Sequence, residues 1–158
     1  MTTTITGATG IDNIKAATGA VLQVVTSTTA VRVASSTTSY TDSGLSASIT
    51  PSSTSSKILV LVNQNGLHKN AGHAQNAISI ALMRDATQVS LLAAYAAFTN
   101  TATPLSIGTV STSYLDSPST TSATVYKTTF ANTITSSVYA AVQQDTQMST
   151  ITLMEIAG

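Results

Sequence analysis

Two histidines, His68 and His73, lie in QNGLHKNAGHAQN, a polar run between two apolar segments. Their spacing does not place them on one face of a helix. They are the only weak candidates for a metal site, and only if subunits around an axis pooled their imidazoles; solvent-exposed loop histidines are the plainer reading. The acids Asp12, Asp42, Asp85, Asp116, Asp145 and Glu155 are scattered singly, most of them where turns are expected. Asp85 after Met83-Arg84, and Asp116 before Ser117-Pro118, read as turn formers. Nucleophilic catalysis needs a serine, a base within reach and a group that orients the base. Serine is too abundant here to signal anything, and no GxSxG elbow occurs. GATG at residues 7–10 lacks the preceding strand and following helix of a phosphate loop. Tyr40, Tyr95, Tyr114, Tyr126 and Tyr139 offer surfaces on which a sugar could stack, but most fall in or beside expected strands, where packing is the plainer use. No catalytic residue and no cofactor is assigned, and an enzyme is not expected.

Composition narrows the remaining classes. The 158 residues suit one domain with a core of its own. Cysteine is absent, which removes disulfides and thiolate metal sites. Six basic residues balance six acidic ones, and charged residues are only 8% of the chain. Such a surface has no electrostatic footprint for nucleic acid or an anionic membrane. It also offers little charge repulsion between copies, which favours self-association. The longest apolar run, Val89 to Phe98, is about half what a bilayer requires. The start, MTTTITGATG, lacks the basic and apolar regions of a secretion signal, so the expected place of synthesis is a cytoplasm.

The elements that must position any site are strands. Leu45, Ala47 and Ile49 alternate with Ser46 and Ser48, the pattern of a half-buried strand. Pro51 and the serines and threonine after it turn the chain. Ile58 to Val62 is apolar on both faces, so this strand should lie between packed layers or at a subunit contact. Further strands are expected at 20–26, 30–34, 38–41, 77–84, 88–94, 107–115, 123–131, 137–143 and 149–156. The last sets Ile151 and Leu153 against Met154 and Ile156, again with no clearly wet face. Leu59, Leu61, Ile151, Leu153, Met154 and Ile156 are therefore the expected core and subunit-packing residues. About a third of the chain is serine or threonine, which here reads as strand surface. Residues 1–18 read as an arm, with Ile5, Ile11 and Ile14 isolated and a helical turn or two before Gly19; residues 19–158 form the domain.

Three phrases carry a resemblance: GLSASITPSSTSSKILVLV (44–62), YLDSPSTTSATVYK (114–127) and STITLMEIAG (149–158), with AVLQVV at 20–25. They are similar to a small structural module of tailed bacteriophages of aquatic bacteria, found in virion knobs, fibre tips and decoration proteins. The resemblance runs from about residue 19 to the end. It implies an antiparallel β-sandwich of the jelly-roll, tumour-necrosis-factor-like kind, forming a homotrimer. It also implies a virion role, with the arm docking on the major capsid protein or another virion protein. With only a short arm before the domain, a capsid decoration or cement knob on the capsid surface is the first expectation. A receptor-binding knob at the tip of a tail or head fibre comes next, with a host-surface glycan as a further partner through the loops 68–76 and 100–106. A virion-associated glycan hydrolase is third, since tailspike-type hydrolases use carboxylate pairs on a longer body. Neither nucleic acid nor membrane is an expected partner.

Overall fold

The computed structural model describes residues 16–70, 76–100, 105–106, 108–134 and 138–158. In chain order the strands are β1 (Val21–Thr29), β2 (Val33–Ser35), β3 (Thr41–Ile49), β4 (Lys57–Gln64), β5 (His68–Lys69), β6 (Ile78–Arg84), β7 (Thr87–Ala96), β8 (Leu105–Ser106), β9 (Val110–Asp116), β10 (Thr124–Asn132), β11 (Ala140–Val142) and β12 (Ser149–Ile156). Gln144–Thr146 forms one 3-10 turn. The arm residues Ile5, Ile11 and Ile14 and the loop histidine His73 lie outside the described residues. Of the helical turns expected before Gly19, a single turn forms over residues 17–20, closed by Ala20 N donating to Ala17 O at 2.9 Å.

Eight strands build two antiparallel sheets, ordered β1-β12-β4-β9 and β3-β10-β6-β7. Counting only these eight, the first sheet holds the first, eighth, third and sixth and the second holds the second, seventh, fourth and fifth. That order is a jelly roll. Because neighbouring strands alternate in direction, the connections β1–β3, β4–β6, β7–β9 and β10–β12 all fall at one end. Each carries one short strand, and these join as a third sheet, β2-β11-β5-β8, across that end.

Alternation decides which side chains enter the sandwich. Leu45, Ala47 and Ile49 from β3 meet Ile58, Val60 and Val62 from β4 and Ile151 and Leu153 from β12, with Leu82 and Tyr126 between them. A second apolar cluster of Leu67, Ile78, Ile80, Phe130, Ala140 and Val142 lies toward the third sheet. Between the two runs a buried polar seam that the hydrophobic pattern did not announce. Ser43 Oγ meets Thr128 Oγ1 at 2.5 Å, Thr128 Oγ1 donates to Gln64 Oε1 at 2.7 Å, and Gln64 Nε2 donates to Ser149 Oγ at 3.1 Å. The seam is hydrogen-bonded throughout, which is what lets polar groups sit in a core.

The expected strands at 30–34 and 38–41 are redrawn. β2 is shorter and later, and β3 begins only at Thr41. In the intervening stretch Ser35 Oγ accepts from Thr37 N at 3.4 Å and Thr37 Oγ1 accepts from Ser39 N at 2.9 Å. Side chains take the amides that a ladder would use, so the chain turns. Gly44 has φ +78° and its N–H bonds Asp42 Oδ1, where the β3–β10 register slips; glycine suits such a bulge.

Ile151 is fully buried at the centre of the first sheet. Ile151→Asp is expected to cost about 3–5 kcal/mol through an uncompensated buried carboxylate, read as loss of the cooperative melting transition or a large fall in Tm. Unchanged melting would contradict the burial.

Candidate functional site

Each acid within the described residues has a defined structural engagement. Asp42 pairs with Lys127 Nζ at 2.7 Å near the surface; burial opposes its ionisation, but the Lys127 and Gly44 contacts lower its pKa overall. Asp85, with φ 51°, is the turn former its position suggests, and its carboxylate accepts from Val125 N at 3.0 Å. Asp116 is not a turn former. It ends β9, is nearly buried, and takes Arg84 Nη1 on both oxygens at 3.0 and 2.8 Å and the Tyr126 hydroxyl at 2.6 Å. This triad ties one sheet to the other. It raises the pKa of Arg84, while burial first and Asp116 second push the Tyr126 phenol well up.

Glu155 is fully buried inside β12. Its Oε1 accepts from Ser52 N at 2.7 Å, Ser52 Oγ at 2.6 Å and Ser56 Oγ at 2.7 Å, and its Oε2 accepts from Gln23 Nε2 at 2.6 Å. Burial opposes ionisation, but the donors from Ser52, Gln23 and Ser56 outweigh it and hold the pKa at about 2. The serine-rich connector between β3 and β4 is thus a cradle for one carboxylate, and two separate phrases of the sequence prove to be one contact. Gly158 packs against the same loop: a Cβ there would stand 2.0 Å from Ser55 O.

At the third-sheet end, His68 pairs with Ser106 and Lys69 with Leu105, so the β4–β6 and β7–β9 connections come together. The His68 ring lies 5.8 Å from Tyr139, over which the Arg32 guanidinium stands at 5.2 Å. Burial and the Arg32 charge lower the His68 pKa. Among the described residues no three His, Asp or Glu side chains gather as a metal site.

The outer face of β1-β12-β4-β9 carries a continuous apolar row. Register places Val24, Met154, Leu59 and Leu115 in one row across all four strands. Leu61 lies on the next row, and Ile156 on the row before it. Val24 and Leu115 are each 52% exposed and Leu61 38%, while Leu59, Met154 and Ile156 are half-buried. Of the expected packing residues, Ile151 and Leu153 therefore enter the core, whereas Leu59, Leu61, Met154 and Ile156 face outward. Beyond the apolar row the face turns to hydroxyls and amides, with Thr26 bonded to Thr152 at 3.1 Å and Ser111 donating to Asn63 at 2.9 Å.

Nothing matched when the chain was compared with protein-family models and with curated proteins. Among solved structures it is similar to the VP2 subviral particle of infectious bursal disease virus, at a TM-score of 0.43 and 14% identity over 98% of this chain. It is also similar to a point-mutant VP2 of the same virus in derived T=1 particles, at a TM-score of 0.45 and 15% identity over 97% of this chain. The chain spans 42% and 41% of those two proteins. The jelly-roll assignment stands on the strand order itself rather than on these distant likenesses.

Glu155 sets an acid limit. Its folded pKa of about 2 lies below the ordinary 4.5, so as pH falls the unfolded chain takes up the proton first. The stability it contributes is complete above about pH 4.5 and drains away toward about pH 2. Glu155→Gln is expected to lose about 1–3 kcal/mol at neutral pH, because an amide nitrogen then faces hydroxyl and amide donors, and to flatten the pH dependence in that window. Denaturation midpoints measured across the window for both proteins check the sign and the assignment.

Proposed function

We propose that this chain is a virion structural protein, a homotrimeric capsid-decoration knob attached through residues 1–18. The observation that carries the self-association is the apolar row Val24–Met154–Leu59–Leu115, which crosses a whole sheet and has no cover within the described chain. A second copy of the same chain is the fitting occupant. The row is uncharged, Lys57 stands only at its margin, and the chain as a whole is electrically balanced, so copies meet without repulsion. Burying a Leu or Val side chain contributes about 1.5–3 kcal/mol at most. Several such residues per copy contribute together when they are buried as a unit, as an aligned row allows.

The virion role is supported by the phage-module wording at 44–62 and 149–158. A jelly roll alone would not supply it, since one fold carries many functions. In the arm, Ile5, Ile11 and Ile14 are apolar residues suited to docking on a capsid protein.

Light scattering on the eluting full chain is expected to give three times the 16.1 kDa chain mass; a monomer at micromolar concentration overturns the trimer. Leu115→Arg should yield a monomer that still folds and melts cooperatively, at a Tm below the parent's because the contribution of association is lost. Deleting residues 1–18 is expected to leave a folded trimer that no longer decorates capsids. Normal decoration by the truncated protein would refute the arm.

A further inference from the structure

The opposite outer face, that of β3-β10-β6-β7, carries a cleft of ≈ 290 Å³ at the third-sheet end. Tyr40 and Tyr95 flank it, and Ser79, Ala94 and Ala131 form its small-residue floor, with Thr133 at its end. The chain has seven aromatic residues, five Tyr and two Phe. The three that are exposed, Tyr40 at 42%, Tyr95 at 65% and Phe98 at 49%, all belong to this cleft or adjoin it. Phe98 meets the Tyr95 ring edge-on at a centroid distance of 6.4 Å, which restrains its orientation.

Two backbone devices place the tyrosines. Ile80 pairs with Ala93 and Ile78 with Ala96, so β7 holds one residue more than β6 between those pairs. This bulge turns both Ala94 and Tyr95 outward, where simple alternation would expose only one of them. On the other side, the side-chain-bonded turn at Thr37–Ser39 is tied to β10 by Asn132 N donating to Thr37 O at 3.1 Å, and it delivers Tyr40 over the sheet. The Tyr40 hydroxyl lies 2.6 Å from Ser79 Oγ, and Ser79 Oγ donates to Ala93 O at 3.3 Å. Either hydroxyl can donate in the Tyr40–Ser79 pair, and a phenol engaged in one hydrogen bond keeps a further one to offer. That remaining position can take a ligand hydroxyl as donor or acceptor.

We infer that this cleft binds a neutral sugar unit, with an apolar ring face on Tyr95 and hydroxyls on Tyr40 and the threonines. Two rigid aromatic surfaces with polar tips, over a floor of small side chains, suit a flat ligand that is apolar on its faces and polar around its rim. None of the lining residues is Asp, Glu, Lys, Arg or His, so an anionic sugar finds no counter-charge. The depression is shallow and open to solvent, which fits a terminal unit resting on it rather than a chain buried along its length. The inference rests on the cleft alone and stands apart from the virion assignment.

Saturation-transfer NMR on the full-length protein tests it, with the methyl glycosides of glucose, galactose, mannose and N-acetylglucosamine as probes and N-acetylneuraminic acid as the anionic comparison. Irradiating the protein's aromatic protons is expected to transfer saturation to the ring-face protons of at least one neutral glycoside and not to the acid. Tyr95→Ala and Ala94→Leu, both at exposed positions, should each weaken that glycoside at least tenfold, about 1.4 kcal/mol. Thr28→Ala, at an exposed position of β1 on the opposite sheet and outside the apolar row, should leave it unchanged. No transfer to any of the four glycosides, equal transfer to the acid, or a signal that survives both cleft variants would overturn the proposal.

Discussion

The Glu155 carboxylate is the constraint on which the rest of the structure depends. β12 is central in its sheet and pairs with both β1 and β4, yet its two faces are nearly equivalent in hydropathy. One offers Ser149, Ile151 and Leu153, the other Thr150, Thr152, Met154 and Ile156. Slipping a strand by one residue exchanges its faces, and the apolar pattern alone would tolerate either outcome here. Glu155 breaks the tie. Its charge can be buried only where Ser52, Ser56 and Gln23 supply donors, and those donors exist at one register. The face carrying Ile151 and Leu153 therefore goes inward, and the face carrying Met154 and Ile156 goes out.

The same choice shapes the surfaces. With β12 fixed, Met154 aligns with Val24, Leu59 and Leu115, and an apolar row is left outside the sandwich. The second sheet is set differently, because Arg84, Asp116 and Tyr126 clamp it to the first and the β7 bulge turns an extra residue outward. One outer face is consequently apolar and continuous, and the other is hydroxyl-rich with a small aromatic cleft. A chain with no net charge thus separates an apolar face from a hydroxyl-rich, aromatic one by register and bulge rather than by electrostatics.

Most of the architecture was legible in the chain. Period-2 alternation in Leu45–Ile49, the doubly apolar Ile58–Val62 and the STITLMEI strand located β3, β4 and β12, because burial of one face imprints directly on sequence. Less of the candidate sites was legible. Asp116 beside Ser-Pro looks like a turn residue until Arg84 and Tyr126, which are remote in sequence, are folded against it. Gln64, Thr128, Ser43 and Ser149 look like wet strand positions, and only their mutual hydrogen bonds make burial tolerable. Tyr40 and Tyr95 were two of five similar tyrosines, and what distinguishes them is a bulge that no local pattern encodes.

By itself, then, the sequence determined that the chain is all β, where its principal strands run, and that its charge is sparse and balanced, since alternation and composition are local properties. Only the tertiary structure decided which face of each ambiguous strand is buried and which polar residues share a core. It also decided which exposed residues form a common surface. These outcomes depend on hydrogen bonds and register between segments far apart in the chain, such as the serines at 52 and 56 and the carboxylate at 155, and such partners acquire meaning only when folding brings them together.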